Sequence, residues 1–241
     1  MDIGKAIKFP FKGEHAWANL GCMALCLLIP VVGGIVAGGY RVVIDKKLIE
    51  NLDADAPRFS FQRFSDYLIR GVWPFLVGML MVLCLVPFVL VAWAMTIAGF
   101  LLVDRSVGWG IALIIIGVCL YLLSFLLFAP VLAPMQFKAG LEGKFEAAFD
   151  VAYLSDYWKR VGLLTIGAHF LLVILMVPAM LVSMCVPYLG LFALITLMMF
   201  VTAHWNTQLY LEYLRRGGIA VAFTPEPIEP GFEVVLHKPN A

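Results

Sequence analysis

Ser65-Asp66-Tyr67-Leu68-Ile69-Arg70 and, ninety positions on, Ser155-Asp156-Tyr157-Trp158-Lys159-Arg160 carry Ser, Asp, Tyr and Arg at one spacing. Each stretch closes a charged region and opens a long uncharged run, and each run has a proline, Pro87 or Pro178, 17 or 18 residues after the arginine. The shared order, polar segment and then apolar hairpin, reads as a duplicated unit. The stretch itself reads as a membrane-entry device. Its Tyr is expected at the interface and its Asp and Arg among headgroups. The i,i+4 pairs Asp66–Arg70 and Asp156–Arg160 would support each helix by about 0.2–0.5 kcal/mol.

Working outward, the composition fixes the class. Of 241 residues, 63% are hydrophobic and 14% charged, against about half and about 25% in soluble domains. With a mean hydropathy of +0.96, there is too little polar surface to cover a water-soluble core. The chain is expected to be an all-α integral membrane protein. Cys22, Cys26, Cys84, Cys119 and Cys185 lie in apolar runs, where a reduced cysteine packs as a small hydrophobe. No metal-ligand spacing accompanies them, and no cofactor is expected.

Five segments follow from charge and apolar runs. Residues 1–15 form a basic-aromatic leader in which Lys5, Lys8 and Lys12 mix with Asp2 and Glu14, unlike a signal peptide. Residues 16–44 are an N-terminal hydrophobic segment, uncharged from Ala16 to Tyr40 but interrupted by Pro30, Gly33-Gly34 and Gly38-Gly39. It is either a single span or a re-entrant hairpin turning near Gly33-Gly34. Residues 45–137 hold a polar helix and the first transmembrane hairpin. In them, Phe61, Phe64, Leu68 and Val72 recur at the spacing of an interfacial amphipathic helix. The eleven Leu, Val and Phe between Leu76 and Thr96 favour insertion by roughly 3–6 kcal/mol. Residues 138–216 repeat the arrangement, with Phe145, Phe149 and Tyr153 as the interfacial stripe. Residues 217–241 are a Pro-rich tail, strand-like at Phe232 to Leu236.

Two hairpins place the polar regions and the tail on one side. The positive-inside rule makes that side, and the C-terminus, cytoplasmic. The leader decides the first segment. A single span leaves thirteen Lys/Arg facing four; re-entry leaves sixteen facing Arg105 alone. The second count is the more lopsided, so re-entry is preferred.

The opening Phe9-Pro10-Phe11-Lys12, Trp17, Leu28-Ile29-Pro30 and Gly39-Tyr40-Arg41 resembles that of a bacterial and archaeal membrane family, the domain of unknown function 4013. Ala56-Pro57-Arg58-Phe59, leading through Phe64 to Arg70-Gly71, resembles its second signature, with Arg58 and Ser60 departing from it. Gly143 to Phe149 resembles its Ala-Ala-Phe motif. The likeness covers roughly residues 7–214. It implies a multi-pass protein of a bacterial or archaeal cytoplasmic (inner) membrane, in a family that offers no catalytic residue to carry over.

Ionisable residues inside a membrane are the usual pointers to function, and the spans contain no Asp, Glu, Lys or Arg. His169 is placed near mid-depth, and His204, Asn206 and Gln208 make a polar cluster near the end of the last span. All four suit helix–helix hydrogen bonding, with a ligand-contacting role as the alternative. Gly34 and Gly38 form a small-xxx-small packing face, for contact within the chain or with a second copy. No H-E-x-x-H, G-x-S-x-G or P-loop pattern occurs, so an enzyme is not expected. The expected partners are the lipid bilayer and other membrane proteins, or a second copy, and not nucleic acid. Two functions fit: a non-catalytic scaffold or accessory subunit, which is preferred, and a channel or facilitator built from two parallel repeats.

Overall fold

The computed structural model describes residues 1–186 and 189–223, and no strand occurs among them. The helices are α1 (Ile3–Lys8), α2 (Ala16–Leu27), α3 (Val32–Glu50), α4 (Phe64–Val103), α5 (Val107–Glu142), α6 (Val151–Met184) and α7 (Leu189–Arg215). By length and composition, α4 to α7 are each able to cross a membrane. The expected strand at Phe232 to Leu236 lies outside the described residues.

α4 and α5 run antiparallel in contact from end to end. Near the Asp104–Ser106 turn, a Cβ on Gly99 would lie 2.7 Å from the Gly110 carbonyl, and farther along, one on Gly117 would lie 2.7 Å from that of Ala92. At the opposite end Gln136 Nε2 donates to the Pro74 carbonyl at 3.1 Å. α6 and α7 are also antiparallel, with Ala168, Leu172 and Met176 against Val201, Trp205 and Leu209. Toward the two turns the apolar side chains point outward, among them Phe100, Leu101, Trp109 and Leu181. That is the arrangement lipid requires, since backbone polarity is satisfied inside each helix. Buried side chains concentrate at the other, charged end.

Three local expectations change. The interfacial helix before the first hairpin is not a separate element. A 3-10 turn at Phe61–Arg63 leads directly into α4, because nothing between Ser65 and Gly71 breaks a helix. α4 is thus about 60 Å long at 1.5 Å per residue, twice the bilayer core. The second expected stripe is broken as well. Gly143, at φ 66°, caps α5, Glu146–Phe149 is a 3-10 turn, and the Asp150 side chain caps α6 at the Tyr153 N–H. Residues 16–44 do break, but at Leu28–Val31, where Val31 takes φ 65°, and not at Gly33-Gly34. From Gly218 to Phe223 the tail forms no helix or strand, and it stays against the bundle. Val221 is buried, and the Ile219 and Val221 N–H groups donate to the Tyr213 and Tyr210 hydroxyls at 3.0 and 2.8 Å.

Candidate functional site

At the charged end the leader, α2, α3, the 51–63 loop, α4 and α7 close on one another around Tyr40. This residue is fully buried, and its ring meets Phe59, Tyr67 and Phe200 at 5.3, 5.5 and 5.9 Å, edge-on in each case. Its hydroxyl donates to the Pro57 carbonyl at 2.5 Å. Asn19, on α2, donates to the same carbonyl at 3.0 Å and accepts the Phe59 N–H at 2.8 Å. The loop has no ladder of its own, so side chains from two helices supply the partners its buried backbone needs. Two of the three sequence stretches that carry the family likeness therefore meet in space, as a structural joint.

The joint closes because α3 and α4 touch backbone to backbone. A Cβ on Gly39 would sit 1.8 Å from the Tyr67 carbonyl oxygen, and one on Gly71 would sit 1.8 Å from that of Ile35. Gly34 and Gly38 lie on this seam with more room, where an added Cβ would lie 3.2 Å from the Phe75 ring and 3.5 Å from the Gly71 carbonyl oxygen respectively. Their small-residue face is used inside the chain.

Both copies of the repeated stretch form the expected ion pairs. Arg70 Nε and Arg160 Nε each lie 2.8 Å from an oxygen of Asp66 or Asp156. Their tyrosines, however, are buried instead of interfacial. Tyr67 stacks on Phe59 at 5.1 Å, and the Tyr157 hydroxyl lies 3.1 Å from that of Thr165. Within the first two turns of α4 and α6 a tyrosine fills the gap to a neighbouring helix, which buries more apolar area than an interfacial position would.

The other sequence-singled residues divide. His169 Nδ1 lies 2.9 Å from the Thr165 carbonyl of its own helix, apart from the α7 cluster. His204 and Gln208 do come together, with Gln208 Nε2 3.0 Å from His204 Nδ1. Gln208 also accepts the Asp2 N–H at 2.6 Å and donates to the Asp2 carbonyl at 2.9 Å. The Phe9 ring packs on His204 at 5.1 Å. Asn206 points elsewhere. It lines a cavity of about 10 Å³ with Phe137, Tyr153 and Tyr210, room for about one water.

Electrostatics tie the leader to the same end. Lys5 pairs with Asp53 at 2.8 Å and Lys12 with Asp55 at 3.4 Å. The Lys5 hydrogen bond holds the Asp53 carboxyl below the usual carboxylate range. The Lys138 ammonium does the same for Asp150. Asp45, on α3 beyond the apolar run, is the opposite case. Burial pushes its carboxyl up to about 7, against the pull of Arg41, whose Nε lies 3.7 Å away. Asp45 Oδ1 has no hydrogen-bond partner.

Asn19, Asp45, Tyr210 and Tyr213 are the residues sequence reasoning missed. Asn19 had a signal, as the one amide side chain in the apolar run from Ala16 to Tyr40. Asp45 had none, since its five-residue surroundings look like a solvated helix. Among the described residues no group of three or more His, Cys, Asp or Glu is placed to hold a metal ion. All five cysteines are free.

A sequence model of the family described as Protein of unknown function (DUF4013) matches residues 22–188. No curated protein and no solved structure matches the chain.

Proposed function

The chain belongs to the DUF4013 family, and within it we propose a non-catalytic scaffold or accessory subunit of a membrane assembly. One observation carries this reading: His169, His204 and Gln208 in the spans, and Asn19 and Tyr40 beside them, are engaged with the chain itself. His204 and Gln208 hold the leader, His169 bonds its own helix, and Asn19 and Tyr40 hold the 51–63 loop. These contacts build a rigid charged end. Exposed on it are Lys8, Lys47, Arg58, Lys144 and Lys159, a surface suited to partners. The reading includes two tandem hairpins from a duplicated unit, an inner-membrane location, and a cytoplasmic charged end. With the leader at that end, sixteen of seventeen Lys/Arg lie on one side, the pattern the positive-inside rule requires of re-entry.

The alternative, a channel or facilitator, draws on Pro87 and Pro178 inside α4 and α6, since broken helices mark many transport sites. It gains little from His169 and His204, whose ring nitrogens bond Thr165 and Gln208 of their own helices. In-membrane crosslinking from lysine, followed by gentle solubilisation, tests the scaffold reading. A defined hetero-complex or homo-oligomer supports it. A lone monomer, together with solute flux in liposomes that His169→Ala alters, would replace it with the channel reading.

A further inference from the structure

We infer that His204, Gln208 and Asp2 form a proton-sensitive latch that docks residues 1–11 onto α7 and releases them when His204 is protonated. Donors and acceptors match here in one arrangement only. Gln208 meets both backbone groups of Asp2, with Oε1 accepting the N–H at 2.6 Å and Nε2 donating to the carbonyl at 2.9 Å. Turning the amide over would set N–H against N–H and oxygen against oxygen, so Asp2 fixes its orientation. Nε2 is then the atom 3.0 Å from His204 Nδ1, and that ring nitrogen has to be an acceptor. The ring's one N–H is then on Nε2. His204 is therefore neutral while the leader is docked. A second proton puts Nδ1–H against the Gln208 N–H₂, and either that contact or both Asp2 bonds must break.

The charged groups facing the ring are Lys5 and Lys12 from the leader and Asp53 from the loop after α3; α2 has no charged residue. Lys5 and Lys12 are engaged with Asp53 and Asp55. Asp53 is held below the usual carboxylate range, so it stays charged where an imidazole titrates. The docked state binds one proton fewer than the released state. Docking is thus complete at high pH and lost as pH falls through the range of the ring. Release uncovers the sites of Ala6 and Phe9, both buried against α7 and its neighbours when docked.

The test is backbone hydrogen exchange of residues 2–11 in lipid nanodiscs, corrected for intrinsic rates, at about pH 7.5 and about pH 5.5. A His15→Asn background removes the leader's own imidazole. Protection is expected to fall roughly tenfold or more at the lower pH, the loss of about one net hydrogen bond. His204→Asn keeps an acceptor but not the titration, and should leave protection flat with pH. Gln208→Glu gives an imidazolium a carboxylate to bond, and should abolish or invert the pH dependence. Protection that does not change with pH in the wild type overturns the latch. So does an unaltered pH response in either variant, since the titrating group would then lie elsewhere.

Discussion

Removing the Asn19 side chain gives the sharpest energetic test of the joint around Tyr40. Asn19 is 1% exposed and makes two bonds to the loop, at 3.0 and 2.8 Å. Asn19→Ala strips the buried Phe59 N–H of its acceptor, which costs about 1–3 kcal/mol, and loses a second bond worth about 1 kcal/mol. The total is about 2–4 kcal/mol. Tyr40→Phe removes one donor from the Pro57 carbonyl but leaves Asn19 Nδ2 on it, so it costs only about 0.5–1.5 kcal/mol. The double variant leaves that carbonyl with neither donor, and its cost should exceed the sum of the singles by about 1 kcal/mol or more. Denaturant or thermal unfolding in one detergent, run as a double-mutant cycle, measures all three. Strict additivity, or an Asn19→Ala variant within about 0.5 kcal/mol of wild type, would show that the loop is not held by these two residues.

Other consequences follow from the same geometry. Gly39→Ala and Gly71→Ala put a methyl 1.8 Å from a backbone carbonyl, so both should lower expression and melting temperature sharply. Gly21→Ala, with nothing within 4 Å, should be neutral or slightly stabilising through helix propensity. Asp45 has a folded-state value of about 7, raised from 3.8. A raised carboxyl favours the fold fully below its unfolded value and loses that contribution as pH rises through its folded one. Wild type should thus melt lower at about pH 8 than at about pH 5, and Asp45→Asn should reduce that difference. Tyr210→Phe leaves the buried Val221 N–H without its acceptor, and should speed proteolysis between 217 and 223. Tyr213→Phe, whose bond to Ile219 is only partly buried, should do so less.

The membrane class and the four long apolar helices were legible because composition and uncharged runs set them directly. The repeated ion pairs were legible for the same local reason, since i,i+4 spacing needs no tertiary information. The tyrosines beside them were misplaced because sequence cannot distinguish an aromatic at a lipid interface from one facing another helix. Phe145, Phe149 and Tyr153 misled by period alone, since a glycine cap and an aspartate cap divide the stripe. The polar cluster on α7 was visible from Trp205 and its neighbours, but its partner was not. Asp2 lies 206 residues from Gln208, and a backbone group has no sequence signature.

Under the proposed topology the leader, the charged loops and the end of α7 share one face of the membrane, so that residues 16–44 enter and return. Single cysteines at Lys8, Lys144 and Arg105 in a cysteine-free background, probed with a membrane-impermeant maleimide in oriented vesicles, test it most directly. Lys8→Cys and Lys144→Cys should label from the same side and Arg105→Cys from the opposite one. Labelling of Lys8→Cys together with Arg105→Cys, and apart from Lys144→Cys, would contradict it.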